Sequence, residues 1–149
     1  MTLLVRADDV PEATVPMKLK AGVLSTKQVF GRESSIMIAR RSAGYHSRPH
    51  VHNCEQLNYV MEGEIWIYID GSRFHLRTGD FNRVPKMAVH WAWNRSESDC
   101  LLFECHAPGL DMLPRDQTVE LLDEDESPSD IERVPQIWAS DDYLEAERD

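Results

Sequence analysis

The sequence predicts an all-β protein, a sandwich or small antiparallel barrel, and three observations carry that expectation. Between about Lys18 and His106, short runs rich in β-branched, aromatic and aliphatic residues recur, turn formers separate them at close spacing, and helical periodicity is weak. The expected strands are Ser34 to Arg41, Gln56 to Met61, Glu64 to Asp70, Arg73 to Leu76, Phe81 to Val84, Val89 to Trp93 and Cys100 to Cys105. Ser42, Ala43 and Gly44 end the first, and Glu62 and Gly63 break the second. Asp70, Gly71 and Ser72 form a tight hairpin signal, and Thr78, Gly79 and Asp80 another turn. Trp66 and Tyr68 lie on one face of their strand and Ile65, Ile67 and Ile69 on the other, so both faces need cover, one of them from a partner subunit.

A chain of 149 residues, 42% of them hydrophobic, can bury one sizeable core, so one folded domain is expected over residues 1–119, with residues 120–149 as an acidic tail. No apolar run reaches the length needed to cross a bilayer, and Met1 to Pro16 carries Asp8, Asp9 and Glu12 where a secretory signal would be basic and then apolar. Cys54, Cys100 and Cys105 are odd in number and lack paired-ligand spacing, which agrees with a reducing compartment. A cytoplasmic location is therefore expected, with no membrane partner.

The formal net charge of −10 is unevenly spread. Residues 1–119 hold fourteen acidic and fourteen basic side chains, whereas residues 120–149 hold twelve acidic ones against Arg133 and Arg148. A phosphate-binding surface needs clustered Lys and Arg, so nucleic acid is not an expected partner. The run Asp123, Glu124, Asp125, Glu126, Ser127, Pro128, Ser129, Asp130 repels itself and reads as a solvated loop. Beyond it, Ile131, Val134, Ile137, Trp138, Tyr143 and Leu144 are apolar enough to dock on the body or on a second subunit.

The chemistry is concentrated in His50, His52, Gln56 and His90. Side chains two and four apart on a strand share a face, so His50 and His52 enter one interior while Val51 points away. Gln56 keeps that parity if the strand continues through Asn53, Cys54 and Glu55; a bulge would put Glu55 there instead. This is the pattern of a metal site built on strands.

The wider spacing carries a resemblance. Gly44, five residues, His50, one residue, His52, three residues, Gln56, six residues, Gly63 resembles the first cupin motif, whose fourth ligand is usually Glu. Gly79, five residues, Pro85, four residues, His90, three residues, Asn94 is similar to the second, fifteen residues further on. The resemblance implies a double-sheet jelly roll, one divalent metal ion per chain held by His50, His52, Gln56 and His90, and a homodimer. Fe, Ni, Mn, Zn or Cu suits imidazole and oxygen ligands.

Two departures matter. Met87 occupies a position that is usually glycine, and its Cβ resists positive φ, so the turn before His90 is expected to be reshaped. Gln56 in place of Glu leaves the ion's charge uncompensated, which strengthens it as a Lewis acid and favours an anionic ligand. The expected activity is therefore an isomerase, lyase or hydrolytic step on a small oxygenated or carboxylated metabolite. Small pectin-sugar cupins whose first motif resembles His, any, His, three residues, Gln point the same way. An Fe(II) dioxygenase and a non-catalytic small-molecule-binding cupin are the alternatives. Acid/base candidates are Glu55, Glu104, His46 and Tyr59. For substrate, Asn58 shares the face of Gln56, Arg40, Arg48 or Arg83 would hold a carboxylate, and Trp93, with Tyr45, Trp66, Tyr68 and Trp91, would supply aromatic walls.

Overall fold

Alternating burial runs through the longer strands, as in Leu24–Phe30, where every second residue is buried, and this period of two fixes which side chains reach the interior. The structure is a computed structural model that describes residues 3–148. Its strands are β1 Ala13–Thr14, β2 Leu24–Phe30, β3 Ser35–Arg41, β4 His50–His52, β5 Glu55–Glu62, β6 Glu64–Ile69 and β7 Ser72–Arg77. They continue as β8 Phe81–Val84, β9 His90–Trp93, β10 Cys100–Ala107, β11 Gly109–Asp111, β12 Val119–Glu120 and β13 Arg133–Trp138.

Two sheets face each other. One has the order β1-β2-β3-β10-β5-β8 with β12 added beside β2; the other runs β11-β13-β4-β9-β6-β7. Pairing is antiparallel except for β11 with β13 and β12 with β2. The jelly roll encloses Leu24, Met37, Val60 and Leu102 from the first sheet against Ile65, Ile67 and Ala92 from the second. Each of the larger apolar side chains contributes about 1.5–3 kcal/mol by leaving water.

Two expectations are corrected. The strand of His50 and His52 does not run on into Gln56: the chain bends at Asn53 and Cys54, leaving β4 in the six-stranded sheet and entering the seven-stranded one as β5. Gln56 still faces inward, because it starts the buried series Gln56, Asn58, Val60 on β5. The turn before His90 is not reshaped either. Met87 adopts φ +62°, its amide donates to the His52 carbonyl at 3.0 Å, and its half-exposed side chain leaves the Cβ room. That left-handed residue costs about 1–2 kcal/mol relative to glycine.

Beyond residue 119 the apolar residues dock on the body, one of the two arrangements expected of them. β13 lies between β11 and β4, pairing Gln136 with His52, Ile137 with Val51 and Trp138 with His50. Val134 packs on Cys54 and Leu110, and Ile131 on Phe30 and Leu122, so residues beyond 119 belong to the barrel. A short 3-10 segment, Asp141–Glu147, then crosses the outside of the six-stranded sheet. Glu147 Oε1 accepts from Trp91 Nε1 at 2.7 Å and pairs with His46 Nε2 at 2.5 Å. Trp66 stacks on His75 and Tyr68 on Trp91, while the Arg95 guanidinium lies over Trp66 and Trp93 and donates to the Tyr68 hydroxyl. The chain itself therefore covers the face expected to need a partner.

Candidate metal centre

β4 turns His50 and His52 inward on either side of Val51, and the register of β4 with β9 sets His90 directly opposite His50. Ring centroids lie 4.3 Å apart for His50 and His90 and 4.6 Å for His52 and His90. One nitrogen from each of the three rings lies within 4.8 Å of the other two, and all three side chains are buried.

Hydrogen bonds assign the tautomers. His50 Nδ1 faces the Arg48 carbonyl at 2.8 Å and His90 Nδ1 faces the Ala88 carbonyl at 2.9 Å. A carbonyl only accepts, so both Nδ1 atoms carry the proton and both Nε2 atoms keep a lone pair, as metal-ligating histidines require. His52 Nδ1 lies 3.1 Å from Cys54 Sγ, whose thiol burial pushes up to about 12. Burial also lowers the three imidazoles, with His50 at about 3, so all are neutral near pH 7. Buried, neutral, oriented nitrogen donors fit a divalent ion.

Gln56 lines the same cavity, with Nε2 donating to Asn58 Oδ1 at 2.8 Å while Asn58 Nδ2 donates to Asn82 Oδ1 at 2.8 Å. This amide chain sets the orientation of Gln56 and leaves its Oε1 as the end available for coordination. The rival Glu55 faces outward, where its Oε2 accepts from Arg83 Nε at 2.7 Å.

Opposite the imidazoles stand Arg41, Glu104 and His106, carried by β3 and β10. Arg41 Nη2 donates to Glu104 Oε1 at 2.5 Å, and Glu104 Oε2 lies 3.7 Å from His106 Nε2. Burial by itself would raise the Glu104 carboxyl and lower the Arg41 guanidinium. Their attraction outweighs both effects, so Glu104 titrates below its ordinary range and Arg41 above its own. Burial pushes His106 down to about 4.

Of the residues singled out from sequence, the cavity brings together His50, His52, Gln56, Asn58, His90 and Glu104, with Tyr45 and Trp91 also among its lining. Arg40 is on the outer face near Asp99, Arg83 pairs with Glu55, and Arg48 pairs with Asp141, so none of these arginines lines the cavity. Tyr59 packs against Phe81 outside the seven-stranded sheet, with the rings tilted, because it has the opposite parity to Asn58. His46 and Trp93 stack on each other outside the six-stranded sheet, with His46 held by Glu147. Sequence reasoning missed Arg41 and His106. The apolar run through Ile36, Met37, Ile38 and Ala39 hides the parity of β3, whereas Glu104 and His106, two apart on one strand, offered a signal.

Comparison with known proteins places this geometry. Residues 38–106 match the family described as "Cupin domain". An uncharacterised protein of Aquifex aeolicus strain VF5 is 38% identical over 55 residues, which cover 36% of this chain and 46% of that protein. The chain thus spans about half the length of the curated relative it matches. Among solved structures, an RmlC-like cupin from Shewanella frigidimarina is 23% identical with a TM-score of 0.54, over 68% of this chain and 88% of that one. AerE from Microcystis aeruginosa is 21% identical with a TM-score of 0.56, over 64% and 45%. KdgF from Halomonas sp. is 21% identical with a TM-score of 0.53, over 67% and 90%. At these identities the structures speak for the fold alone. Among the described residues, no helix is long and apolar enough to cross a membrane. The matched segment contains both histidine motifs, and its strands build the same fold as these solved cupins, which this chain resembles.

Proposed function

We propose that this chain is a mononuclear metal enzyme acting on a small oxygenated or carboxylated metabolite by a redox-neutral isomerase, lyase or hydrolytic step. The donor set carries this reading: His50, His52 and His90 are neutral, Gln56 is an uncharged amide, and the carboxylate lining the cavity, Glu104, is already compensated by Arg41. A divalent ion held there, whether Fe, Ni, Mn, Zn or Cu, supplies a Lewis acid whose charge is open to an anionic oxygen. Glu104, close to His106, is the acid/base candidate that lines the cavity, a weak base because Arg41 holds it ionised. Asn58 holds Gln56, and the two sheets exclude bulk water.

Elemental analysis of protein purified without chelator tests the reading, followed by assays in air and under anaerobic conditions. Stoichiometric metal and turnover indifferent to oxygen support it. Protein that contains no metal and cannot be loaded overturns it. Turnover that consumes oxygen favours the Fe(II) dioxygenase alternative, and binding without turnover a ligand-binding cupin.

We also propose a homodimer, formed through the outer face of the seven-stranded sheet. Strand register aligns Ile38, Phe103, Tyr59 and Phe81 in one row, and Phe81 is 76% exposed. The pairs Arg83–Glu55 and Arg40–Asp99 border the row, so this face carries balanced charge although the chain totals −10. A second copy can therefore approach without the repulsion that the acidic residues beyond 119 would impose. Light scattering should give twice the 17.2 kDa chain mass, and Phe81→Glu should halve it. A wild-type monomer overturns this assignment.

A further inference from the structure

Arg41 is a buried cation with open donors. It enters the cavity from the end of β3 at 8% exposure, with its guanidinium 5.3 Å from the Tyr45 ring centroid. Nη2 is engaged by Glu104, but Nε and Nη1, which carry three of the five guanidinium N–H groups, have no acceptor among the described residues. His106, on the other side of Glu104, is wholly buried and has no hydrogen-bond partner at either ring nitrogen among the described residues, Glu104 Oε2 standing 3.7 Å from Nε2. Buried donors are costly to leave unpaired, so this wall is completed by an occupant that accepts hydrogen bonds.

The chemistry of that occupant follows from charge and space. Arg41 is the one cation and Glu104 the one carboxylate among the lining residues, and no lysine is present. A guanidinium matches a planar carboxylate, whereas a tetrahedral dianion would meet a single cation already half neutralised. The cavity is small, about 40 Å³, room for roughly three waters or an acid of about one to three carbons. Contact with Tyr45 and Glu104 holds the guanidinium in place before anything binds.

We propose that Arg41 anchors an anion subsite that takes the carboxylate of a short organic acid, facing the three imidazoles. This rests on the cavity being the ligand site of the function proposed above, and it adds the class of ligand and the residue that selects it.

Calorimetric titration of the full chain with acetate, metal-free and zinc-loaded, tests the subsite. Arg41→Lys keeps the charge but loses the planar fork, and should weaken acetate about tenfold. Glu104→Gln removes the competing carboxylate from Arg41, and should tighten acetate about tenfold and make acetate raise the melting temperature of the variant more than that of wild type. Equal acetate affinity in wild type and Arg41→Lys, or weaker binding in Glu104→Gln, overturns the subsite. Phosphate binding more tightly than acetate overturns the carboxylate class. Arg41-dependent acetate binding by protein that cannot be loaded with metal leaves the subsite standing while the metal reading fails. Normal metal loading with acetate binding indifferent to Arg41 does the reverse.

Discussion

The six-stranded sheet presents His50, His52 and His90 to the cavity, and the seven-stranded sheet presents Arg41, Glu104 and His106 across from them. On the first wall the rings are neutral, two of the three have their outer nitrogens tied to carbonyls, and lone pairs point inward. On the second wall an ion pair is buried with several N–H groups open. The difference teaches that one barrel prepares opposite sides for opposite charges. One wall has lone pairs without protons, and the other has protons without acceptors.

Removing a ligand breaks the first wall. His50→Ala should abolish stoichiometric metal, lowering affinity by well over the roughly 10–100-fold that outer partners usually control, as read by elemental analysis and competition with a chelator. Breaking the second wall should cost stability instead. Glu104→Leu leaves Arg41 buried and uncompensated and should destabilise the fold by about 3–5 kcal/mol in urea, while Arg41→Met with Glu104→Leu should recover most of that loss.

Acid should separate the walls by degrees. The folded values of His50, about 3, and His106, about 4, lie below the ordinary 6.5 of the unfolded chain, so unfolding takes up protons between those limits. Stability of the metal-free protein is then fully present above about pH 6.5 and falls as pH drops toward 4 and 3, by at most about 1.4 kcal/mol per unit for each histidine. Urea midpoints measured across that range check the slope. The smallest effect is expected behind the first wall. Cys54→Val removes the sulfur beside His52 and should weaken metal binding about tenfold, with Cys54→Ser closer to wild type.

Legibility differed between the walls for a physical reason. His50 and His52 announce their face by alternating with Val51, and His90 follows a proline turn at fixed spacing, so strand parity alone places the imidazoles together. Glu104 was named from sequence, yet its partner was not, because β3 is apolar on both faces and parity could not separate Arg40 from Arg41. Local pattern also could not show that β13 returns to β4, since its acidic surroundings read as solvated chain and its pairing spans most of the sequence. Met87 shows the opposite limit: a local rule against positive φ gave way where the side chain reaches solvent.

The seat of β13 has a consequence for the order of synthesis. β4 has only three residues, and its neighbours are β9 on one side and β13 on the other. A nascent chain that has emerged only through His90 and Trp93 holds every imidazole of the centre but leaves one edge of β4 unpaired. Such an edge invites foreign strands until Arg133–Trp138 arrives to close it. The ribosome thus delivers the three imidazoles early and their brace late, and the edge of β4 stays open until residue 138 has emerged.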